Sequence, residues 1–157
     1  MKKLLAAAVA ATTIVAVLSG CGGDTTAPKQ EQKQAVNAAD DLSTAKDGTY
    51  SAVSRKDEMG SGRITIVIKD HKIKAAQFDG LKPDGVVKDK TYGMSDGEIK
   101  NESKYKQAQL AVKAHKDFGD QLVERQKLSE VDAIAGATVS YNQFVEAAQN
   151  AIEKAKN

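Results

Sequence analysis

Arg63-Ile-Thr-Ile-Val-Ile-Lys69 is the stretch that most narrows what this chain can fold into. Ile64, Ile66 and Ile68 fall on one side of an extended backbone, and Thr65, Val67 and Lys69 on the other. A β-branched run alternating with period two reads as a half-buried strand. Asp70-His71 then supplies a turn, and Lys72–Phe78 a return strand that Asp79-Gly80 is expected to end. Upstream, Asp47-Gly48 marks a turn before a short strand at Tyr50–Ser54. Downstream the period changes. Tyr105, Ala108, Ala111, Val112 and His115 recur every three or four residues, which predicts a helix over Glu102–Lys116. Phe118-Gly119 is expected to interrupt it, with a further turn or two over Gln121–Gln126. Phe144, Val145, Ala148, Ala151 and Ile152 form the apolar stripe of a last helix over Tyr141–Ala155. Strands first and helices after them imply an α+β domain: an antiparallel sheet with a hairpin, flanked by helices.

Gly80–Lys100 is rich in loop residues, with Pro83, Gly85, Gly93 and Gly97, and Val86-Val87-Lys88 is its candidate for a small strand. A loop this long inside a compact domain is usually functional. Gly22–Lys46 is polar and has almost no large apolar residue, so it is expected to be a tether, with a root-mean-square span of about 25–30 Å. The domain is thereby expected over 47–157.

At the N-terminus, Lys2 and Lys3 precede the apolar run Leu4–Leu18, which is shorter than the roughly 20 residues of a spanning helix. The whole reads as a secretory signal over 1–20. Its exit, Leu18-Ser19-Gly20-Cys21, resembles the lipobox of bacterial lipoproteins. That resemblance implies cleavage before Cys21, a lipid on Cys21, and an extracytoplasmic domain held at the membrane over a tether of residues 21–46. Cys21 is the single cysteine, so the domain has no internal disulfide to rely on. Without Lys2 and Lys3 the chain carries 21 basic and 21 acidic residues. This balance leaves no basic footprint for nucleic acid.

The run Val131-Asp-Ala-Ile-Ala-Gly-Ala-Thr-Val-Ser-Tyr-Asn-Gln-Phe144 poses the functional question. Ser140, with Gln143 three residues on, has the pattern of a capping box. Small residues at Gly136 and Ala137, hydroxyls at Thr138 and Ser140, and a helix start also suit a bound phosphate. Asp132-Ala-Ile-Ala135-Gly136-Ala137-Thr138-Val-Ser140 resembles the FMN-attachment motif of the FMN-binding domain family, and the similarity extends from about Asp47 to the C-terminus. That family includes flavin subunits of the sodium-pumping NADH:quinone reductase and of the Rnf complex, and single-domain bacterial lipoproteins.

The resemblance implies FMN, covalent or non-covalent, at Asp132, Ala135, Gly136, Ala137, Thr138 and Ser140. Ser140 stands where the family pattern has its acceptor threonine for the phosphoester. Asp132 would serve recognition by the flavin transferase, or loop shaping. Tyr92-Gly93-Met94 is a candidate wall for the flavin ring. His71 and His115 lie far apart in the chain and are not read as metal ligands, and Glu124–Lys127 is read as a solvated face. The function expected is electron relay at a membrane, to a redox partner the sequence does not name, rather than turnover of a substrate of its own. Two alternatives stay open: a flavin-free surface lipoprotein of the same fold, acting as an antigen or interaction module, and a lipoprotein holding another phosphorylated ligand.

Overall fold

The computed structural model describes residues 36–157. Cys21 and the signal segment lie outside the described residues. The sheet is an antiparallel meander, β1 (Gly48–Val53), β2 (Ser61–Lys69) and β3 (Lys72–Leu81), in that spatial order. Ile64, Ile66 and Ile68 all face the core and are fully buried, as the alternation requires. Asp70 and His71 both take positive φ and form the two-residue turn of the β2–β3 hairpin. β3 runs through Asp79-Gly80 to Leu81, because Asp79 pairs with Arg63 opposite it in backbone register and in charge, at 3.0 Å.

Helix α1 (Glu102–Arg125) packs on β3, and α2 (Thr138–Lys156) packs on β1 and β2. The result is an α+β domain of two layers. Phe118-Gly119 does not interrupt α1. A Cβ on Gly119 would lie 2.4 Å from the Ala76 carbonyl oxygen, so the glycine lets the helix settle directly onto β3. That contact, with Phe118 fully buried beside it, outweighs the cost of about 1 kcal/mol for glycine inside a helix. All three phenylalanines of the chain, Phe78, Phe118 and Phe144, meet in one cluster with ring centroids 5.3–6.4 Å apart.

Two further expectations change. Val86-Val87-Lys88 is not a strand; Val87 makes one isolated bridge to Leu81. Residues 36–46, expected at the end of a tether, lie against the domain, with Ala39, Leu42 and Ala45 buried in the core. The Lys46 amide donates to the Ala155 carbonyl at 2.8 Å, which ties this segment to the end of α2. Glu124–Lys127 is not simply a solvated face either. Gln126 takes a left-handed conformation that ends α1, and its side-chain amide pairs with both the N–H and the carbonyl of Ile73 on β3. Among the described residues no helix is long and apolar enough to cross a membrane.

Candidate functional site

The start of α2 is set by the chain before it. Gly136 adopts φ 82°, the Ala137 amide donates to the Ile134 carbonyl, and the helical ladder begins with the Tyr141 amide donating to Ala137. The amides of Thr138, Val139 and Ser140 therefore precede the ladder. The N-cap is Ala137, whose side chain has nothing to cap with. The capping box expected at Ser140 and Gln143 is not formed, because Ser140 is already the third residue of the helix.

These amides open onto a cavity of about 780 Å³ between the start of α2, the first half of α1 and the loop after β3. Its walls include Met59, Tyr92 and Gly93, Lys104 and Gln107 on α1, Gly136 to Ser140, and Lys88. The volume falls within the range of about 300–1,000 Å³ common for small-molecule sites. The loop is fixed by α1. The Gln109 side-chain amide donates to the Tyr92 carbonyl at 2.8 Å, and the Tyr105 hydroxyl to the Lys90 carbonyl at 3.0 Å. Gly93 has φ 94°, and a Cβ there would meet the Ala108 Cβ at 2.8 Å. Gln107 donates to the Gly136 carbonyl at 2.7 Å and so ties the α2 entry to α1.

Of the residues singled out from the sequence, Gly136, Ala137, Thr138 and Ser140 line the cavity, with Tyr92 and Gly93 of the long loop. Asp132 and Ala135 are exposed and lie outside its lining. Asp132 instead accepts from Arg125 at 2.7 Å, and Arg125 also donates to the Glu130 carbonyl. This brace holds the motif loop against the end of α1.

Thr138 and Ser140 differ sharply. Thr138 is exposed at the first helical position, whereas Ser140 is only 4 % exposed. The Ser140 hydroxyl lies 3.2 Å from His115 Nε2. The Gly80 amide donates to His115 Nδ1 at 3.3 Å, which leaves Nε2 as the ring's donor toward Ser140. Burial, together with the positive charge of Lys88, pushes His115 down to about 4, against a weaker upward pull from Asp79. The ring is therefore neutral at physiological pH. His115 is the site residue that sequence reasoning did not assign to the site. Its place on the apolar stripe of α1 was the available signal that it would face inward.

Lys88 is the second. It is only 4 % exposed, and its ammonium sits 5.2 Å from the centroid of the Tyr92 ring. Burial pushes it below the usual lysine range, while Asp57 pulls the other way. No acidic side chain is among the cavity-lining residues. Two lysines, three amides ahead of the helical ladder and an aromatic wall suit a ligand with a phosphate at one end and a flat ring at the other.

The family model of the FMN-binding domain matches residues 59–153. The chain belongs to the FMN-binding domain family. The match spans β2, β3, α1, most of α2 and every cavity-lining residue named above. FMN is accordingly the cofactor of this domain, and the donor set of the cavity fits it. A crystal structure of a Clostridium perfringens protein is similar at 25% identity and a TM-score of 0.56, covering 71% of this chain and 89% of that one. A solution structure of a Clostridium thermocellum protein is 26% identical over 71% of this chain and 93% of that one, with a TM-score of 0.42. Comparison with the curated proteins finds no match.

Proposed function

We propose that this FMN-binding domain is an electron carrier held on the extracytoplasmic face of a membrane by a lipid on Cys21. The observation that carries the flavin site is the α2 entry. The amides of Thr138, Val139 and Ser140 open, without a side-chain cap, into a cavity that has lysines and no acids. Phosphate is favoured there by the free N–H groups and the positive end of the helix dipole. The ring system of FMN would occupy the part of the cavity walled by Tyr92. Bound FMN supplies the redox chemistry, and the protein supplies binding, orientation and electrostatics. The lipobox-like Leu18–Cys21 supports the anchor.

The two hydroxyls of the motif favour different roles. Ser140 is buried and occupied by His115, so it is poorly placed to be reached by a modifying enzyme. Thr138 is exposed at the cavity and lies on the first turn of the helix, beside the free amides. If the flavin is attached covalently, the new ester bond joins Thr138 Oγ1 to the flavin phosphorus, and the hydroxyl proton is lost. The mass gain is that of one FMN less one water.

Intact mass and absorbance of the full chain, produced with a flavin transferase, test this reading. The wild type and Ser140→Ala should carry the added mass, and Thr138→Ala should not. Added mass that survives in Thr138→Ala and disappears in Ser140→Ala would move the ester to Ser140. Acid-extractable FMN without added mass would leave binding and remove attachment. A protein free of flavin in every form would favour the alternative of a surface lipoprotein acting as an interaction module. Cys21→Ala should shift the protein from the membrane fraction to the soluble fraction.

A further inference from the structure

The amides at the α2 entry and the exposed Lys104 suffice for a phosphate, which leaves the buried Lys88 unexplained. An ammonium taken out of water is costly unless it is paired. None of the ion pairs among the described residues includes Lys88. Asp57, the acid that acts on it, already accepts from the Gln143 side-chain amide at 2.9 Å and from the Met59 amide at 2.7 Å. His115 is neutral and spends both ring nitrogens on Gly80 and Ser140. Nor is the side chain free to reach outward. The Lys88 amide donates to the Gly80 carbonyl at 2.8 Å, and the stem passes so close to Gly80 that a Cβ there would lie 3.2 Å from Lys88 Cδ. The ammonium is held at the Tyr92 wall of the cavity.

We propose that Lys88 is the charge-selecting residue of the flavin cavity: it acts on the ring system, not on the phosphate, and makes the site prefer reduced FMN to oxidised FMN. The proposal rests on the flavin-binding reading above and deepens it. Two electrons and one proton taken up from a reductant leave the flavin ring one negative charge richer than its oxidised form. A fixed cation in a water-poor cavity stabilises that added charge far more than it would in bulk water, and it is in place before the charge arrives. Tyr92 keeps the ammonium oriented through its ring face.

The full chain, produced without flavin transferase, is loaded with FMN or with riboflavin, which lacks the phosphate. Affinity is measured for each oxidised flavin, and the midpoint potential by dye-equilibrated dithionite titration. Lys88→Met should bind both oxidised flavins within about threefold of wild type. Its preference for the reduced form should fall about tenfold, which for a two-electron couple lowers the midpoint by about 30 mV. The shift should be the same for riboflavin, and Lys88→Arg should restore the wild-type value. Lys88→Gln carries the same comparison if the methionine variant does not fold. Loss of affinity for FMN alone, with riboflavin and the potential unchanged, would assign Lys88 to the phosphate and overturn the proposal. Unchanged potential and affinity with both flavins would reduce Lys88 to a structural role and overturn it equally. A wild type that binds neither flavin overturns the flavin-binding reading itself, and this proposal with it.

Discussion

His115 is fixed at both ring nitrogens, by the Gly80 amide on one side and the Ser140 hydroxyl on the other. A Cβ on Gly80 would come within 2.4 Å of the ring, so the strand needs a glycine at that point for the histidine to fit. The edge of the Phe78 ring meets the imidazole at 5.3 Å and closes off the core side. This packing has a consequence in acid. Above pH 6.5 the ring is neutral both in the folded domain and in the unfolded chain, and it contributes no pH dependence. Below that, the unfolded chain takes up a proton that the folded domain refuses until about pH 4. Stability therefore falls as pH falls through this window, by up to about 3 kcal/mol from this group. His115→Gln removes that slope. The variant should start about 1–3 kcal/mol less stable at neutral pH, through the altered contacts with Gly80 and Ser140. Between about pH 6.5 and about pH 4 it should then lose less than wild type. Urea unfolding across that range measures both, and parallel curves for the two proteins would show that His115 does not set the acid response.

At the scale of elements, β2 and α1 make opposite demands on side-chain size. Ile66 lies in the middle of β2 with no exposed surface, so Ile66→Ala should cost about 2–5 kcal/mol in denaturant unfolding. Gly119→Ala raises helix propensity by about 1 kcal/mol. Its new Cβ nevertheless meets a backbone oxygen that cannot swing aside, at 2.4 Å. The net result should be destabilisation of about 1–3 kcal/mol; a gain in stability would mean that α1 rides farther from β3 than described. The strands were legible in the sequence because alternation is a local signal, and Ile64, Ile66 and Ile68 carry it without help from the rest of the chain. The break at Phe118-Gly119 and the capping box at Ser140 were misleading for one shared reason. Local propensity gave way to close approach between layers, which a sequence window does not see. The motif Gly136–Ser140 was legible as a ligand-binding turn, and the loop at Tyr92-Gly93 as a wall. His115 and Lys88 were not assigned to it. The 25 residues between His115 and Ser140 are bridged only when α1 and α2 pack side by side, and Lys88 reaches the cavity only because its backbone bonds to the end of β3.

Across the whole molecule, α2 separates two regions. Its first turn opens on the cavity, and its last turn receives residues 36–46, through Lys46 to Ala155 at 2.8 Å and Lys156 to the Ala38 carbonyl at 2.6 Å. With 19 residues the helix is about 28 Å long, so the two regions lie well apart. Under the proposed anchoring at Cys21, the lead-in to the domain joins the end of α2 opposite the flavin site. The cavity would then be open to a redox partner and not pressed toward the lipid. The separation can be tested without a membrane. A domain that begins at Asp47 lacks the buried side chains of Ala39, Leu42 and Ala45, and Leu42 alone contributes roughly 1.5–3 kcal/mol by burial. Against a domain that begins at Val36, the shorter one should unfold at lower urea and be at least about 1.5 kcal/mol less stable. Its affinity for FMN, measured where both are folded, should stay within about twofold, because at such a distance, with no shared partner, the two effects are independent. Equal stability of the two forms would mean that residues 36–46 do not hold the domain in solution. A tenfold loss of FMN affinity on truncation would show that α2 transmits the state of its last turn to its first, and that the two ends work as one unit.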